Sequence, residues 1–322
     1  MIKTKSEIET LFDKFIYECT YVLQRRPETI RTYRGVFEPF IKLSGITSLA
    51  EINTDHLAHF FETLQTRERV VGRGTIKKGV KNSTIHTYAS KLHTFFEWLQ
   101  TDGHIIENPV HKMPRMSVTY DDIKALKKEE IEKLRAAVEA HSINLLQIKR
   151  DRAMLTTFIF TGIRRGEFLG LTLMDIDLQK GILRVRQETS KSKRTRSIPL
   201  SHQAIIDLKD YLDERNRRLN AAGKFFYQTP KLFVSLHEDC GFSAHGLKHW
   251  VNRLRVHSGV RFHPHQFRHT FAVNVIKSGG SVVELQKLLG HTDLRMTQRY
   301  LRSLGVEDLR PVTDRLTFGG LD

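Results

Sequence analysis

Apolar positions in the first hundred residues recur at helical spacing and predict a series of short helices. In SEIETLFDKFIYECTYV, Ile8, Leu11, Phe12, Phe15 and Ile16 fall on one face. Pro27 and the run ETIRTYRGVFEPFIKL predict a second helix, and Asn53 or Thr54 stands where a cap for DHLAHFFETLQ is needed. NSTIHTYASKLHTFFEWLQTDG predicts a long helix that starts at Ser83 or Thr84, lines one face with Leu92, Phe95, Phe96 and Leu99, and stops at Gly103. Four helices and few strand patterns describe a small all-α domain. NPVHKMPRMSVTYDD carries two prolines and no periodicity, the mark of a linker. We place the first domain at residues 1–112, the linker at 113–121 and the second domain at 122–322.

The second part mixes periods. LKKEEIEKLRAAVEAH is amphipathic, and KRDRAMLTTFIFTG reads as a buried helix ended by Gly162. GILRVRQ alternates as a half-buried strand does, TRSIPL is a second strand closed by Pro199, and KLFVSL is a third candidate. The residues between the first two then lie in a hairpin turn. Helices resume at Ser243, His265 and Ser281, and Gly290 stops the last of these. Thr292 is placed to cap a final short helix carrying Tyr300. Few, clustered strands make the class α+β, a mainly helical second domain with a small antiparallel sheet. No internal repeat or low-complexity segment interrupts the pattern.

Charge narrows the partners. The chain has 322 residues, enough for two cored domains, with 52 Lys and Arg against 36 Asp and Glu, a net charge of +16. That surplus favours a polyanion. Apolar runs are too short to span a membrane, and MIKTKSEIETL lacks the apolar core of a signal peptide. Cys19 and Cys240, far apart, suggest neither a disulfide framework nor a zinc site. The reading is an intracellular, cytoplasmic protein that binds nucleic acid, with no membrane partner. Residues 67–81, RERVVGRGTIKKGVK, hold six basic residues, one acid and three glycines. They read as a mobile basic loop in which Arg69, Arg73, Lys77, Lys78 and Lys81 can meet phosphates.

The residues that carry chemistry are cations, histidines and a late tyrosine. Arginine matches phosphate oxygens with its fork and keeps its proton; Arg164 and Arg268 are the candidates. Arg164 follows the end of the buried helix, and Glu167 can share a face with it three residues on. His265, Arg268 and His269 lie on one helix at i, i+3 and i+4. Two histidines at that spacing can hold zinc, but Gln266 stands where a zinc protease has glutamate, and a guanidinium between them repels a metal. His245 and His249 repeat the spacing without a third ligand. Lys191 sits among Lys193, Arg194 and Arg196, a basic hairpin suited to phosphate. No carboxylate cluster calls for a catalytic metal, and no phosphate-binding glycine loop calls for a nucleotide. No cofactor is implied.

TGIRRGEFLGLTLMDIDL, TSKSKRTRSIPL and HPHQFRHTFAVNVIKSGGSVVELQKLLGHTDLRMTQRYL, in that order, resemble the tyrosine recombinases, also called the phage-integrase family. The likeness covers nearly the whole chain. Its spacing matches too: Leu289, Gly290 and His291 are followed nine residues later by Tyr300. Phe267 replaces the more usual leucine before Arg268.

The resemblance implies a metal-free cut-and-rejoin reaction on duplex DNA. Tyr300 is the implied nucleophile, forming a 3′-phosphotyrosyl link and passing through a Holliday junction. Arg164 and Arg268 hold the phosphate, Lys191 protonates the leaving 5′ oxygen, His265 assists proton transfer and His291 hydrogen-bonds the phosphate. Glu167 and His269 support them. Lys193 competes with Lys191 for the acid's role, and with Arg194 it is a candidate DNA contact. The first domain becomes a core-DNA-binding domain and the second the catalytic one. Family members act as homotetramers in the synaptic complex, with the free protein a monomer, on the nucleoid. GVEDLRPVTDRLTFGGLD, after Tyr300, is long enough to reach a neighbouring subunit. With its first helix beginning within ten residues of Met1, the chain reads as a simple recombinase without an arm-site domain. A type IB topoisomerase, or a non-catalytic DNA-binding regulator of the same fold, uses overlapping features and stays open at this point.

Overall fold

The structure is a computed structural model that describes residues 5–72, 74–113, 124–140, 142, 144–190, 192–221, 229–236, 240–301 and 304–314. The chain forms two compact units, 1–121 and 122–322. Among the described residues no helix is long and apolar enough to cross a membrane.

The first unit is built on four helices. Ser6 and Glu9 form a reciprocal cap for α1 (Glu7–Tyr17), whose backbone runs on through a wider turn over Glu18–Val22. Pro27 sits in the first turn of α2 (Pro27–Ser44), where its missing N–H costs nothing. The Asn53 side chain accepts from the His56 amide and caps α3 (Thr54–Thr66). The fourth, α4 (Asn82–Thr101), starts one residue before the expected Ser83, with Lys81 at its N-cap position making no side-chain cap. Buried aromatic rings fill the space between them. Phe12 stacks on Phe37 at 3.7 Å, and Phe40 meets Phe60 and Phe96 edge-on.

The basic segment is not a loop. It folds as an antiparallel hairpin, β1 (Glu68–Val71) with β2 (Thr75–Lys78), pairing Arg69 with Lys77 and Val70 with Ile76. The β-branched residues Val70, Val71, Thr75 and Ile76 favour extended backbone. Gly72 and Gly74 supply the positive φ of the tip. Charge and glycine count hid that pattern from the sequence reading, and the expected all-α unit gains this one hairpin. The start of the expected linker is also folded: Asn108 is fully buried, and Pro109–Lys112 makes a single tight turn. Of the linker proper, 113–121, all but Met113 lies outside the described residues.

The second unit is organised around α6 (Leu145–Thr161), whose residues Ala153, Met154, Leu155 and Phe158 have almost no exposed surface. Around it pack α5 (Lys128–Ala140), α8 (His202–Ala221), α9 (Ala244–Ser258) and α10 (Pro264–Lys277). The short α7 (Arg165–Gly170) follows α6, and a three-stranded antiparallel sheet follows α7 in the order β3 (Ile176–Asp177), β4 (Ile182–Val185), β5 (Arg196–Pro199). The third strand therefore comes from MDIDL. KLFVSL contributes only two isolated bridges, Lys231 to Thr172 and Val234 to Gly241. Ser243 and Ser281 cap α9 and α11 (Val282–Leu289) as expected, whereas α10 begins at Pro264, behind His263. Asp293, not Thr292, caps α12 (Leu294–Gln298), and Tyr300 lies two residues beyond that helix. A last helix, α13 (Val306–Thr313), is tied to the end of α10 by an ion pair between Lys277 and Asp308, 2.7 Å.

Candidate active site

The end of α6 sets the first arginine. Gly162 turns left-handed at φ +57 and terminates the helix. Two residues later Arg164 caps α7, its backbone amide donating to Glu167 Oε2 at 3.0 Å and its guanidinium to Glu167 Oε1 at 2.9 Å. Glu167 is buried. It is also gripped by Arg196, whose Nη2 and Nη1 donate to Oε2 and Oε1 at 2.8 and 3.1 Å. This is the two-pronged match that a guanidinium makes with a carboxylate. Burial alone would raise the Glu167 carboxyl. The hydrogen bonds and charge of Arg196, joined by the amide and charge of Arg164, hold it down at about 2.

Arg268, on α10, is the deepest cation of the site at 1% exposure. Its Nη1 donates to the Gly162 carbonyl at 2.7 Å, and its Nη2 donates to the Leu289 carbonyl at 2.9 Å and to His291 Nε2 at 2.8 Å. Because arginine has no acceptor, His291 Nε2 must accept. The proton of the neutral ring is then on Nδ1, which donates to Thr297 Oγ1 at 2.9 Å. Burial and the charges of Arg268, Arg164 and Arg196 lower the His291 imidazole to about 3, consistent with that neutral form. Burial and Arg164 likewise pull Arg268 down to about 10. His265 is lowered to about 4 by its packed surroundings and by Arg268. Its side chain is nonetheless exposed at the surface.

Tyr300 belongs to a small apolar cluster with Phe271, Ala272, Leu285 and Leu289. Its ring lies parallel to His291 at 6.1 Å between centroids and tilted against His269 at 5.2 Å. Gly290 lets this end of the chain approach: it has φ +64, and a Cβ there would stand 2.9 Å from Arg196 Cδ. The Arg196 Nε also donates to the Leu288 carbonyl at 2.9 Å. Phe267 is fully buried against Phe158 and Phe262, a core residue as expected.

The geometry thus gathers Arg164, Glu167, Arg196, Arg268, His291, His269 and Tyr300, and His265 feels the same charges. Two guanidinium groups, Arg164 and Arg196, pair with one carboxylate while Arg268 adds a third positive charge, and the shifts keep His265 and His291 neutral near pH 7. The surplus is about two positive charges in a poorly solvated place, an environment made for a doubly contacted anion such as a phosphodiester. Residues 124–305 match the family model described as the phage integrase family.

The chain belongs to the phage integrase family. Its membership is of the Xer type of tyrosine recombinase, enzymes of site-specific DNA recombination. It is 33% identical over 278 residues to tyrosine recombinase XerC of Thermodesulfovibrio yellowstonii, covering 84% of each protein. Among solved structures it is similar in fold to XerH recombinase bound to a palindromic difH substrate after cleavage. The TM-score is 0.70 at 20% identity, over 94% of this chain and 83% of that one. A lambda integrase tetramer bound to a Holliday junction gives a TM-score of 0.66 at 20% identity, over 92% and 78%.

Sequence reading of this recombinase missed two residues that the structure places in the site. Arg196 was seen as one more cation of a basic hairpin. Its strand carries the signal: Arg196, Ile198 and Leu200 are buried while Ser197 and Pro199 are exposed, so period two turns Arg196 inward. Thr297, fully buried under His291, had no signal beyond its spacing. Lys191 and Arg73 lie outside the described residues. Lys193, at φ +51, and Arg194 are exposed in the connection between β4 and β5. Lys77, Lys78 and Lys81 are exposed on or just after the hairpin, while Arg69 is half-buried with its Nε donating to the Gly79 carbonyl at 2.7 Å.

Proposed function

We propose that Tyr300 is the nucleophile of this recombinase and that the cationic site beside it holds the scissile phosphate. The observation that carries the reading is the surplus positive charge of Arg164, Arg196 and Arg268, only partly offset by Glu167, next to Tyr300. Arg164 and Arg268 neutralise the non-bridging oxygens. Arg268 still has two N–H groups beyond the three engaged with protein atoms. Glu167 acts through the arginines, fixing Arg164 and Arg196 rather than touching the phosphate. The Tyr300 oxygen bonds to phosphorus as the bond to the 5′ oxygen breaks. The hydroxyl proton passes to solvent or to His265, and Lys191 protonates the departing oxygen. The 3′-phosphotyrosyl bond retains the energy of the broken ester, so a 5′-hydroxyl of a second duplex can reverse the attack without nucleotide or metal.

His291 changes role on binding. Its Nε2 accepts from Arg268, and a phosphate that draws Arg268 away and favours imidazolium makes Nε2 a donor to that phosphate. His269 supports the Tyr300 ring. The helical first unit contributes Lys77, Lys78 and Lys81, with Arg69 and Arg73, to backbone contacts; Lys193 and Arg194 do so from the second. Domain limits at 112 and 122 fit the folded Pro109–Lys112 turn. Duplex DNA is the partner, and two sites are joined by four copies of the chain, in keeping with the shared fold of the lambda integrase tetramer. The segment after Gly305 is proposed to help link subunits, and the protein works in the cytoplasm on the nucleoid. A plasmid assay tests this reading: exchange between two copies of one short site supports it, whereas relaxation of any supercoiled plasmid by the monomer overturns it.

A further inference from the structure

We infer that His93, Glu97 and His111 form a zinc site that staples the last turn of the first unit to α4. His93 and Glu97 are one helical turn apart on α4, and His111 comes from the Pro109–Lys112 turn. Their ligand atoms converge. His93 Nε2 is 3.1 Å from His111 Nε2, His111 Nε2 is 3.3 Å from Glu97 Oε2, and His93 Nε2 is 4.0 Å from Glu97 Oε2. Ligand atoms about 2.0–2.1 Å from a tetrahedral zinc stand ~3.3 Å from one another. Two of the three edges already have that length, and the third needs only a small turn of a half-exposed side chain.

The surroundings fix the carboxylate and the turn that carries His111. Asn108, fully buried, donates through Nδ2 to Glu97 Oε2 and to the His93 carbonyl, both at 3.1 Å. Its Oδ1 accepts from the Val110 amide at 3.0 Å, which sets the turn that presents His111. The Gln100 side chain accepts from the Asn108 amide at 3.2 Å and donates to the Ile106 carbonyl at 3.2 Å. A carboxylate ligand fixed by a buried amide is the kind of outer support that metal sites use. Two imidazoles with one carboxylate select zinc over the oxygen-seeking magnesium and calcium. All three side chains are partly exposed, so the site is accessible. It belongs to the first unit, and its role is to order residues 105–113 against α4, not to act on DNA.

The test uses tag-free full-length protein, stripped with chelator, dialysed against zinc and assayed for bound metal and melting temperature. The expected result is about one zinc ion per chain, a Tm higher by a few degrees, and no response to magnesium. His93→Gln and His111→Gln each lose both effects. His111→Cys keeps the zinc and, loaded with cobalt, shows a thiolate charge-transfer band. The His245 and His249 rings, with Nε2 atoms 2.9 Å apart, are the rival binder. Zinc retained in the His93→Gln and His111→Gln variants but lost in His245→Gln would overturn the proposal. So would a His111→Cys variant without the cobalt band, or a wild-type chain that takes up no zinc and leaves the three groups as a hydrogen-bonded cluster.

Discussion

Glu167 holds Arg196 through two parallel hydrogen bonds, 2.8 and 3.1 Å, with both side chains buried. The pair joins the start of α7 to β5, and Arg164 shares the same carboxylate. Removing the carboxylate leaves two arginines beside Arg268 without their counter-charge. Glu167→Ala is expected to destabilise the protein by about 3–5 kcal/mol, lowering Tm by on the order of 10 °C. Glu167→Gln, which keeps the shape and loses the charge, falls between the variant and wild type. Thermal melts check the order. A Glu167→Ala protein as stable as wild type would mean that the arginines find other partners.

Acid should weaken the fold through the histidines before it reaches Glu167. His291 is lowered from 6.5 to about 3 and His265 to about 4, so the unfolded chain binds protons there that the folded chain refuses. Their contribution is fully present above pH 6.5 and is lost as pH falls toward 4 and 3. Glu167 follows, its contribution present above 4.5 and lost toward 2. His291→Asn should flatten the Tm profile between pH 6.5 and 4. An unchanged slope in that variant would remove His291 from the account.

Gly162 ends α6 and lends its carbonyl to Arg268. A Cβ there would meet Phe271 Cδ1 at 2.4 Å in a left-handed backbone. Gly162→Ala is expected to cost about 1–3 kcal/mol and to lower DNA cleavage further than its stability loss explains, because the Arg268 guanidinium loses its anchor at the Gly162 carbonyl. Gly35→Ala is the control. That glycine sits inside α2 with nothing within 4 Å of its Cβ position, and alanine should be neutral or stabilising.

The hairpin lysines test backbone contact. Lys77→Ala and Lys78→Ala should leave Tm unchanged and weaken binding to all duplexes alike, each reducing the salt slope by about one. Arg69→Ala should also lower Tm, since it loses the bond to the Gly79 carbonyl. Loss of discrimination between sequences, with an unchanged salt slope, would instead place Lys77 or Lys78 at a base edge.

Much of this was legible in the chain. Helices with apolar stripes and side-chain caps, such as those begun by Asn53, Ser243 and Ser281, announce themselves because local chemistry decides them. Elements decided by tertiary contact did not. The hairpin at 68–78 is short and seven of its eleven residues are charged or glycine. The strand Ile176–Asp177 has two residues, and its pairing with β4 defines it. Helix α8 went unread because arginines and acids crowd its sequence, though Ala204, Leu208 and Tyr211 share its buried face. In the site, residue types that suit phosphate pointed to Arg164 and Arg268, whereas Tyr300 was singled out only by the family resemblance. Arg196 was hidden among surface-type cations, and only its buried strand face sets it apart.

The central claim is that Tyr300 makes the covalent bond. The most direct measurement incubates the protein with nicked suicide duplexes drawn from DNA flanking its own gene, beside Tyr300→Phe, and resolves the products on a denaturing gel. The account predicts a protein–DNA adduct with wild type and none with Tyr300→Phe, at equal DNA affinity and equal Tm. An adduct that persists in Tyr300→Phe would contradict it and assign the chemistry to another side chain.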